Sequence, residues 1–360
     1  MSIPRIICLI GLFAILVSSG CATRLGPGSI KSSHRPYNDS VIETLNEQLL
    51  LNLVRLKYRD NPYFIEVSSI TAQQSLEGTF AATGNLPTLS SRLQGIGIGG
   101  GGTYIDNPTI TFQPLQGEEF IQKLMAPIPM EAILKLTQSG WSINRVLRLT
   151  VEQANHLHNA PTASGPTPDE APEFQEFKNV AMRLRDLQKT HGLDVVLDGD
   201  DVAMVIDSSR ISQSEGLEIR KMFGCASRGS KIELSTKPKK HRGPDELYIQ
   251  PRSIIGMLFL LSHNIKVPNA HVDEGLVTVT RNEDGSPFDW GQVSGDLLQV
   301  HSSPSVPLSS FVKIRYRNTW FYIKDNDLES KSTFMLLNQL YNLLAGDIKK
   351  AAPVLTIPVG

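Results

Sequence analysis

Three cysteines, eight histidines and two short aspartate clusters are the side chains of this 360-residue chain best suited to chemistry. Few of them fall into a useful spacing. His156 and His158 lie two apart, which suits neither one face of a helix nor a zinc-ligand spacing. Asp198, Asp200 and Asp201 surround one turn, and Asp325 and Asp327 another. Carboxylates in turns commonly accept backbone amides, with calcium as the alternative at either cluster. Asp325-Asn326-Asp327 reads better as the cap of the helix that follows. Gly97, Gly99 and Gly102 satisfy GxGxxG. A dinucleotide site, however, needs a helix to start at the end of that motif and offer its amides to the pyrophosphate. Here Tyr104-Ile105-Asp106-Asn107-Pro108 continues as strand and turn. The sequence contains no GxSxG, HExxH, P-loop or paired CxxC. These patterns predict a non-enzymatic protein with no metal and no cofactor.

Cys21 is the residue with the best-defined chemistry. Arg5 and the free amino terminus form a short positive region, and Ile6 to Val17 is an uncharged apolar run. That run is too short for a bilayer, which needs about 20 residues, but it suits the core of an export signal. Ser18-Ser19-Gly20-Cys21 resembles the lipobox cut by lipoprotein signal peptidase. Gly20 is the small residue that pattern wants before the cysteine, while Ser18 stands where it usually has Leu. The resemblance implies cleavage between Gly20 and Cys21, alkylation of the Cys21 thiolate by diacylglycerol, and acylation of the new amine with a palmitate-type chain. Two or more acyl chains hold a protein on a membrane at about 0.8 kcal/mol per buried methylene. In enterobacterial lipoproteins an Asp after the cysteine favours the inner membrane. Ala22 therefore implies a lipid-anchored, periplasm-facing protein of the outer membrane. An ordinary secretory signal and an uncleaved anchor are the alternatives.

With Cys8 in the signal and Cys21 lipidated, only Cys225 remains, so no intramolecular disulfide can form. Cys225 reads as a small buried hydrophobe. The mature chain is long enough for one or two unstapled cores. A net charge of −1, from 35 basic and 36 acidic side chains, gives no reason to expect nucleic acid as a partner. Lys237-Pro238-Lys239-Lys240-His241-Arg242 reads as a solvated loop, with contact to anionic lipid or lipopolysaccharide phosphates as the sharper reading.

The expected fold class is α+β. After the signal (1–20) comes a Gly/Ser/Pro-rich lipidated tether (21–38). A helix is predicted over Ser40–Arg59, with Ser40 and Glu43 at capping-box spacing. Ile42, Leu45, Leu49, Leu53 and Leu56 form its apolar stripe, and Arg55, Lys57 and Arg59 sit in its last turns, where the helix dipole favours positive charge. From Ile70 to Ala82 residue types alternate, and a second alternating run covers Gln94–Tyr104. Together they predict a long glycine-rich hairpin with Ile70, Leu76, Phe80, Ile96, Ile98 and Tyr104 on an apolar face. Thr109–Phe112 reads as a short third strand. Both runs are long enough for tilted outer-membrane strands, although one hairpin alone cannot cross lipid with open edges. Soluble hairpins far outnumber membrane ones, so the first expectation is a soluble sheet with one face on a core, and a barrel shared between subunits is the alternative.

Helical spacings follow from Gly117 to about Leu157, interrupted by Pro127, Pro129 and Gly140, and close an N-terminal domain at 39–158. The proline-rich stretch 159–172 reads as a linker. The C-terminal domain, 173–360, is predicted as antiparallel sheet with helices on one face. Its helices are placed at Glu173–Thr190, Ser253–Ser262 and Leu328–Leu344. Its hairpins are placed at Asp194–Leu197 with Val202–Ile206 and at Phe311–Tyr316 with Thr319–Ile323. Leu276–Thr280 reads as a strand, and Val354–Val359 as an edge strand.

Asn46-Glu47-Gln48-Leu49-Leu50-Leu51-Asn52, Val67-Ser68-Ser69-Ile70, Trp320-Phe321-Tyr322-Ile323 and Ser330-Lys331-Ser332-Thr333-Phe334 resemble an uncharacterised family of bacterial outer-membrane lipoproteins. That resemblance implies a location and no activity. The expectation is a binding or scaffold component of the cell envelope, held to the membrane through Cys21, with an envelope protein or a second copy as partner. The alternative is a subunit of an oligomeric outer-membrane pore or secretion channel built from the 70–104 hairpin. A periplasmic hydrolase is third, and would need a pocket that gathers carboxylates or histidines.

Overall fold

The computed structural model describes residues 27–83, 97–166, 168–198, 201–225, 229–237, 246–345 and 355–358. Gly20, Cys21, Ile96 and most of the basic run lie outside them. The chain is α+β, as expected. It divides into two units, Met1–Pro62 with Ile121–Gly346, and Tyr63–Phe120 with Asp347–Gly360.

In chain order the principal elements are α1 (Pro27–Lys57), β1 (Phe64–Thr83), β2 (Gly97–Leu115), α2 (Glu118–Met125), α3 (Met130–Gln138), α4 (Ile143–Thr150), β3 (Val151–Ala154) and β4 (Leu157–His158). A 3-10 turn at Pro161–Ser164 leads to α5 (Gln175–Lys189), β5 (Leu193–Asp198), β6 (Asp201–Ile206), α6 (Gln213–Met222), β7 (Lys231–Ser235), β8 (Glu246–Pro251), α7 (Ile254–Ser262), α8 (Asn269–Asp273) and α9 (Gly291–Ser294). The chain ends with β9 (His301–Ser303), β10 (Val312–Tyr316), β11 (Thr319–Ile323), α10 (Leu328–Ala345) and β12 (Leu355–Pro358).

The larger unit is built on a six-stranded sheet of order β4-β3-β8-β7-β6-β5. Asp198 pairs with Asp201 across the expected hairpin, and the sheet is antiparallel except for β7 and β8, which run parallel. Leu147 of α4 and Phe177, Val180 and Leu184 of α5 share a small apolar pocket with Met204 and Leu247 of the sheet. Buried apolar groups at these spacings are what fix the two helices on that face. A second sheet, β10-β11-β9, turns at Arg317-Asn318, where φ is 47° and 62°. Two left-handed residues are what a tight two-residue hairpin turn requires.

Several expectations need correction here. α1 begins at Pro27, not Ser40, so much of the expected tether is helical. Pro27 suits a first turn, where its missing N–H costs nothing. Ser40 lies inside the helix and its carbonyl accepts the Thr44 hydroxyl at 2.8 Å, so its capping-box spacing goes unused. The apolar stripe is buried from Leu49 onward, while Ile42 is exposed. Residues 151–154 are strand rather than helix, because β3 pairs with β8. Leu276–Thr280 is not a strand; instead the Thr280 hydroxyl donates to the Pro168 carbonyl at 2.7 Å and accepts the Trp290 indole N–H at 3.1 Å.

The proline-rich stretch is not an interdomain linker. Ala160 and Ala163 are fully buried, in one cluster with Phe174, Leu260, Trp290 and Val293. Proline forbids regular hydrogen-bonded structure, but it does not forbid burial where side chains satisfy the backbone carbonyls.

The smaller unit is a three-stranded sheet of order β1-β2-β12. β1 has 20 residues and β2 has 19. Thr109–Phe112, expected as a separate strand, is the far end of β2. The C-terminal segment supplies the edge strand, with Leu355 opposite Phe112 and Pro358 opposite Thr109. At the base of the ladder the Phe64 and Phe120 rings meet edge to face, with centroids 5.7 Å apart.

Candidate functional site

The hairpin is the feature of this chain that ordinary packing explains least. At the usual rise per residue β1 is about 65 Å long. Its register is regular apart from one bulge between Val67 and Ser69. Ile70 stands opposite Ile110, Leu76 opposite Tyr104, and Ala82 opposite Ile98. Directly opposed residues share a face. The expected residues Ile70, Leu76, Phe80, Ile98 and Tyr104 therefore lie on one face of the ladder, while Ile96 falls outside the described residues. The other face carries Ser75 opposite Ile105, Glu77 opposite Thr103, and Thr79 opposite Gly101.

Among the described residues, β12 covers the outer edge of β2 only over Thr109–Phe112, and no strand covers the outer edge of β1. An exposed strand edge presents a row of unpaired N–H and C=O groups that template another strand. A two-stranded ladder is marginally stable in water by itself. A hairpin of this length thus calls for something along its edges or against its faces.

Among its described residues the larger unit holds three polar constellations. The first is a buried knot around two arginines. Arg148 makes a bidentate pair with Asp296 at 2.6 and 2.8 Å and donates to the Val293 carbonyl at 2.6 Å. Burial pushes the Asp296 carboxyl up, but the Arg148 hydrogen bonds and charge outweigh it and hold it below its usual value. Arg252 has no carboxylate partner among its hydrogen bonds. It donates to the carbonyls of Arg148 (3.1 Å), Val151 (2.8 Å), Asn159 and Ala160 (3.1 Å), and to the Ser164 hydroxyl (3.0 Å). Burial lowers its pKa to about 10, against the pull of Glu152, so it stays charged at neutral pH. Fully buried and bonded to backbone, Arg252 is a fastener for the proline-rich stretch.

The second constellation lies at the end of α1. Tyr58 Oη and His271 Nδ1 are 2.7 Å apart. Tyr316 donates to Asp60 Oδ2 at 2.5 Å, Arg317 donates to the same oxygen at 3.0 Å, and the guanidinium lies 5.1 Å from the Tyr58 ring centroid. Burial raises the Tyr58 phenol to about 12, and burial with the Asp60 carboxylate raises Tyr316. Both phenols are held protonated, the opposite of what a nucleophile or base needs. The cluster ties the end of α1 to the β10–β11 turn. Beside it Lys57 donates to the His263 carbonyl at 2.8 Å. Burial, with Lys266 nearby, lowers Lys57 to about 8. The His263 ring stacks on Trp290 at 4.6 Å and lies 3.2 Å from the Ala163 carbonyl.

The third is a groove of about 740 Å³ between the sheet and the α2–α3 connection, rimmed by Met125, Pro127 and Met130. Three of its polar groups form a chain: Tyr248 donates to Gln250 at 3.4 Å, and Gln250 donates to Glu152 at 2.8 Å. They form no nucleophile–base pair.

Asp200 lies outside the described residues, and several other sequence candidates are structural. Asp327 caps α10, accepting the Ser330 amide at 3.0 Å, and Asp325 pairs with Lys331 at 2.8 Å. His158 pairs with Glu173 at 2.8 Å. Cys225 is buried, as expected of a small hydrophobe. Among the described residues no group of three or more His, Cys, Asp or Glu could hold a metal ion, and no helix is long and apolar enough to cross a membrane. Sequence reasoning missed the Arg148–Arg252 knot, because two isolated arginines carry no spacing signal.

Comparison with known proteins returns no match to any family model, curated protein or solved structure.

Proposed function

We propose that this chain is a non-enzymatic lipoprotein of the outer membrane, anchored through acylated Cys21 and facing the periplasm. In that place it serves as a binding or scaffold component of the cell envelope, assembled through its long hairpin. The observation that carries this reading is the ladder of 20 and 19 residues whose outer edges are covered, among the described residues, over only four residues, by β12. Open edges of that length are satisfied most economically by strands from further copies of the same chain. Two of the polar constellations support a structural role, since Arg252 is bonded to backbone carbonyls and the Tyr58 and Tyr316 phenols are held protonated. Light scattering on the detergent-extracted protein tests the reading: a discrete oligomer is expected, and a monodisperse monomer contradicts it.

A second reading makes the assembly an outer-membrane pore or secretion channel, with one hairpin from each copy closing a shared barrel. The segregation of the ladder into two unlike faces favours it. Strands of 20 and 19 residues exceed the roughly 9 to 11 that a tilted membrane strand needs, leaving a base outside the bilayer. On this reading Ile98→Asp abolishes membrane insertion and leaves the larger unit folded, as checked by liposome flotation and circular dichroism. Insertion of Ile98→Asp equal to wild type would exclude it.

A further inference from the structure

The register of the ladder and the prolines within it fix which backbone groups of the hairpin point outward. In an antiparallel pair alternate residues turn their N–H and C=O toward the partner strand, and those between turn them away. Proline has no N–H to give, so within a paired strand its nitrogen belongs on the outward side. Pro108 stands opposite Ala72, and Pro114 opposite Ile65. Both occupy even positions of β2, so the even residues of β2 face away from β1. β12 agrees in phase. It pairs with that outer edge, and Pro358 stands opposite Thr109, an odd residue, which turns the Pro358 nitrogen away from β2. Beyond the bulge each even residue of β2 stands opposite an even residue of β1. From Ile70 to Ala82 the outward backbone groups of β1 are therefore those of its even residues.

The two outer edges are unlike. β1 contains no proline from Phe64 to Thr83, and among the described residues no strand pairs with its outer edge. The outer edge of β2 is taken by β12 over Thr109–Phe112 and lacks a donor at Pro108. Among the described residues it is open to another strand only from Gly97 to Asn107. Proline and a covering segment are the usual means of blunting an edge. We propose, resting on the assembly reading above and not on the pore, that copies of this chain join head to tail. The outer edge of β1 in one copy pairs antiparallel with Gly97–Asn107 of β2 in the next, and Pro108 with β12 stops the pairing there. Direction favours this contact over one between two β1 edges. Both ends of the hairpin continue into the larger unit, at Pro62 and Ile121. Pairing β1 with the next copy's β2 points every hairpin the same way and puts all their bases at one end. Copies held by Cys21 in one leaflet need that arrangement. Two β1 edges paired about a two-fold axis run antiparallel and set the bases at opposite ends. A head-to-tail contact satisfies every edge only when the copies close into a ring.

The test is residue-resolved hydrogen exchange on the full lipidated protein, purified in detergent and sized by light scattering. In the wild-type oligomer the outward amides of both edges are expected to be protected: Leu76, Gly78 and Phe80 on β1, and Gly100, Gly102 and Tyr104 on β2. A discrete oligomer with protection confined to one edge, or absent from both, would overturn the inference while leaving assembly in place; protection of the β1 set alone would mean paired β1 edges. A wild-type monomer would overturn the assembly reading, and this inference with it. Two variants test the head-to-tail polarity. Leu76→Pro removes an outward donor of β1 and Gly100→Pro one of β2, and neither takes a donor from the β1–β2 ladder. Each alone is expected to lose the oligomer. Their mixture should give a one-to-one dimer, joined by the intact β1 of the Gly100→Pro copy and the intact β2 of the Leu76→Pro copy. A mixture no larger than either variant alone, with the odd-numbered β1 amides still protected in both, would overturn the inference. If either variant loses the ladder itself, the wild-type exchange pattern decides.

Discussion

At the residue scale, Arg252 shows how a proline-rich stretch becomes part of a core. Its guanidinium reaches four backbone carbonyls and one hydroxyl, two of those carbonyls shared with the Asn159 side-chain amide and a third with the Ala163 backbone amide. Leaving buried carbonyls without donors costs about 1 to 3 kcal/mol each. Arg252→Met is therefore expected to destabilise the protein by about 3 kcal/mol or more, read as a lower urea midpoint. Arg252→Lys should recover only part of the loss, since one ammonium cannot span the same acceptors. An unchanged midpoint for Arg252→Met would remove the fastener role. His263 gives a pH dependence. Burial, then the nearby Lys57 charge, lower it from 6.5 to about 4, against ring hydrogen bonds to the Ala163 and Gly165 backbone. Between those values the unfolded chain binds more protons than the folded one, so stability falls as pH drops from 6.5 toward 4. His263→Phe should flatten that part of the stability–pH curve in urea titrations. A slope unchanged by the substitution would assign the acid sensitivity elsewhere. Neither residue was legible in the sequence: Arg252 sits between Pro251 and Ser253, and nothing local announces that its partners lie about a hundred residues earlier.

At the element scale, legibility follows how local the determinant is. The alternation over Ile70–Ala82 and Gln94–Tyr104 foretold the hairpin, because a period of two is written directly into the residues. The β5–β6 and β10–β11 hairpins and the helices α5, α7 and α10 were legible for the same reason. α6 was open to the same reading, since Ser212 and Glu215 form a complete capping box. Elements that depend on distant partners were harder. β3 exists because β8 pairs with it, and its residues continue a helical spacing from α4. The early start of α1 was hidden by Pro36, which argues against helix by propensity yet lies inside it. β12 was foreseen as an edge strand, but its partner could not be read. Removing Leu355–Pro358 should raise hydrogen exchange at Thr109–Phe112 while the remaining β1–β2 amides keep their protection. Equal protection with and without the segment would mean that β12 contributes nothing to the sheet.

At the scale of the whole molecule, the proposal joins two separate parts of the chain, the cysteine at its start and the long hairpin. The proposed membrane address rests on Ser18-Ser19-Gly20-Cys21, and the proposed assembly on the hairpin, so the two can be separated by one substitution. The measurement that tests the central claim most directly is the mass of Cys21→Ser protein, expressed with its signal and sized by light scattering beside wild type. If the hairpin assembles the protein, Cys21→Ser retains the discrete oligomer of wild type, and a continued need for detergent would add that the hairpin enters the bilayer. A Cys21→Ser protein recovered as a soluble periplasmic monomer would contradict the account, leaving the lipid as the sole membrane contact and the hairpin without an assembly role.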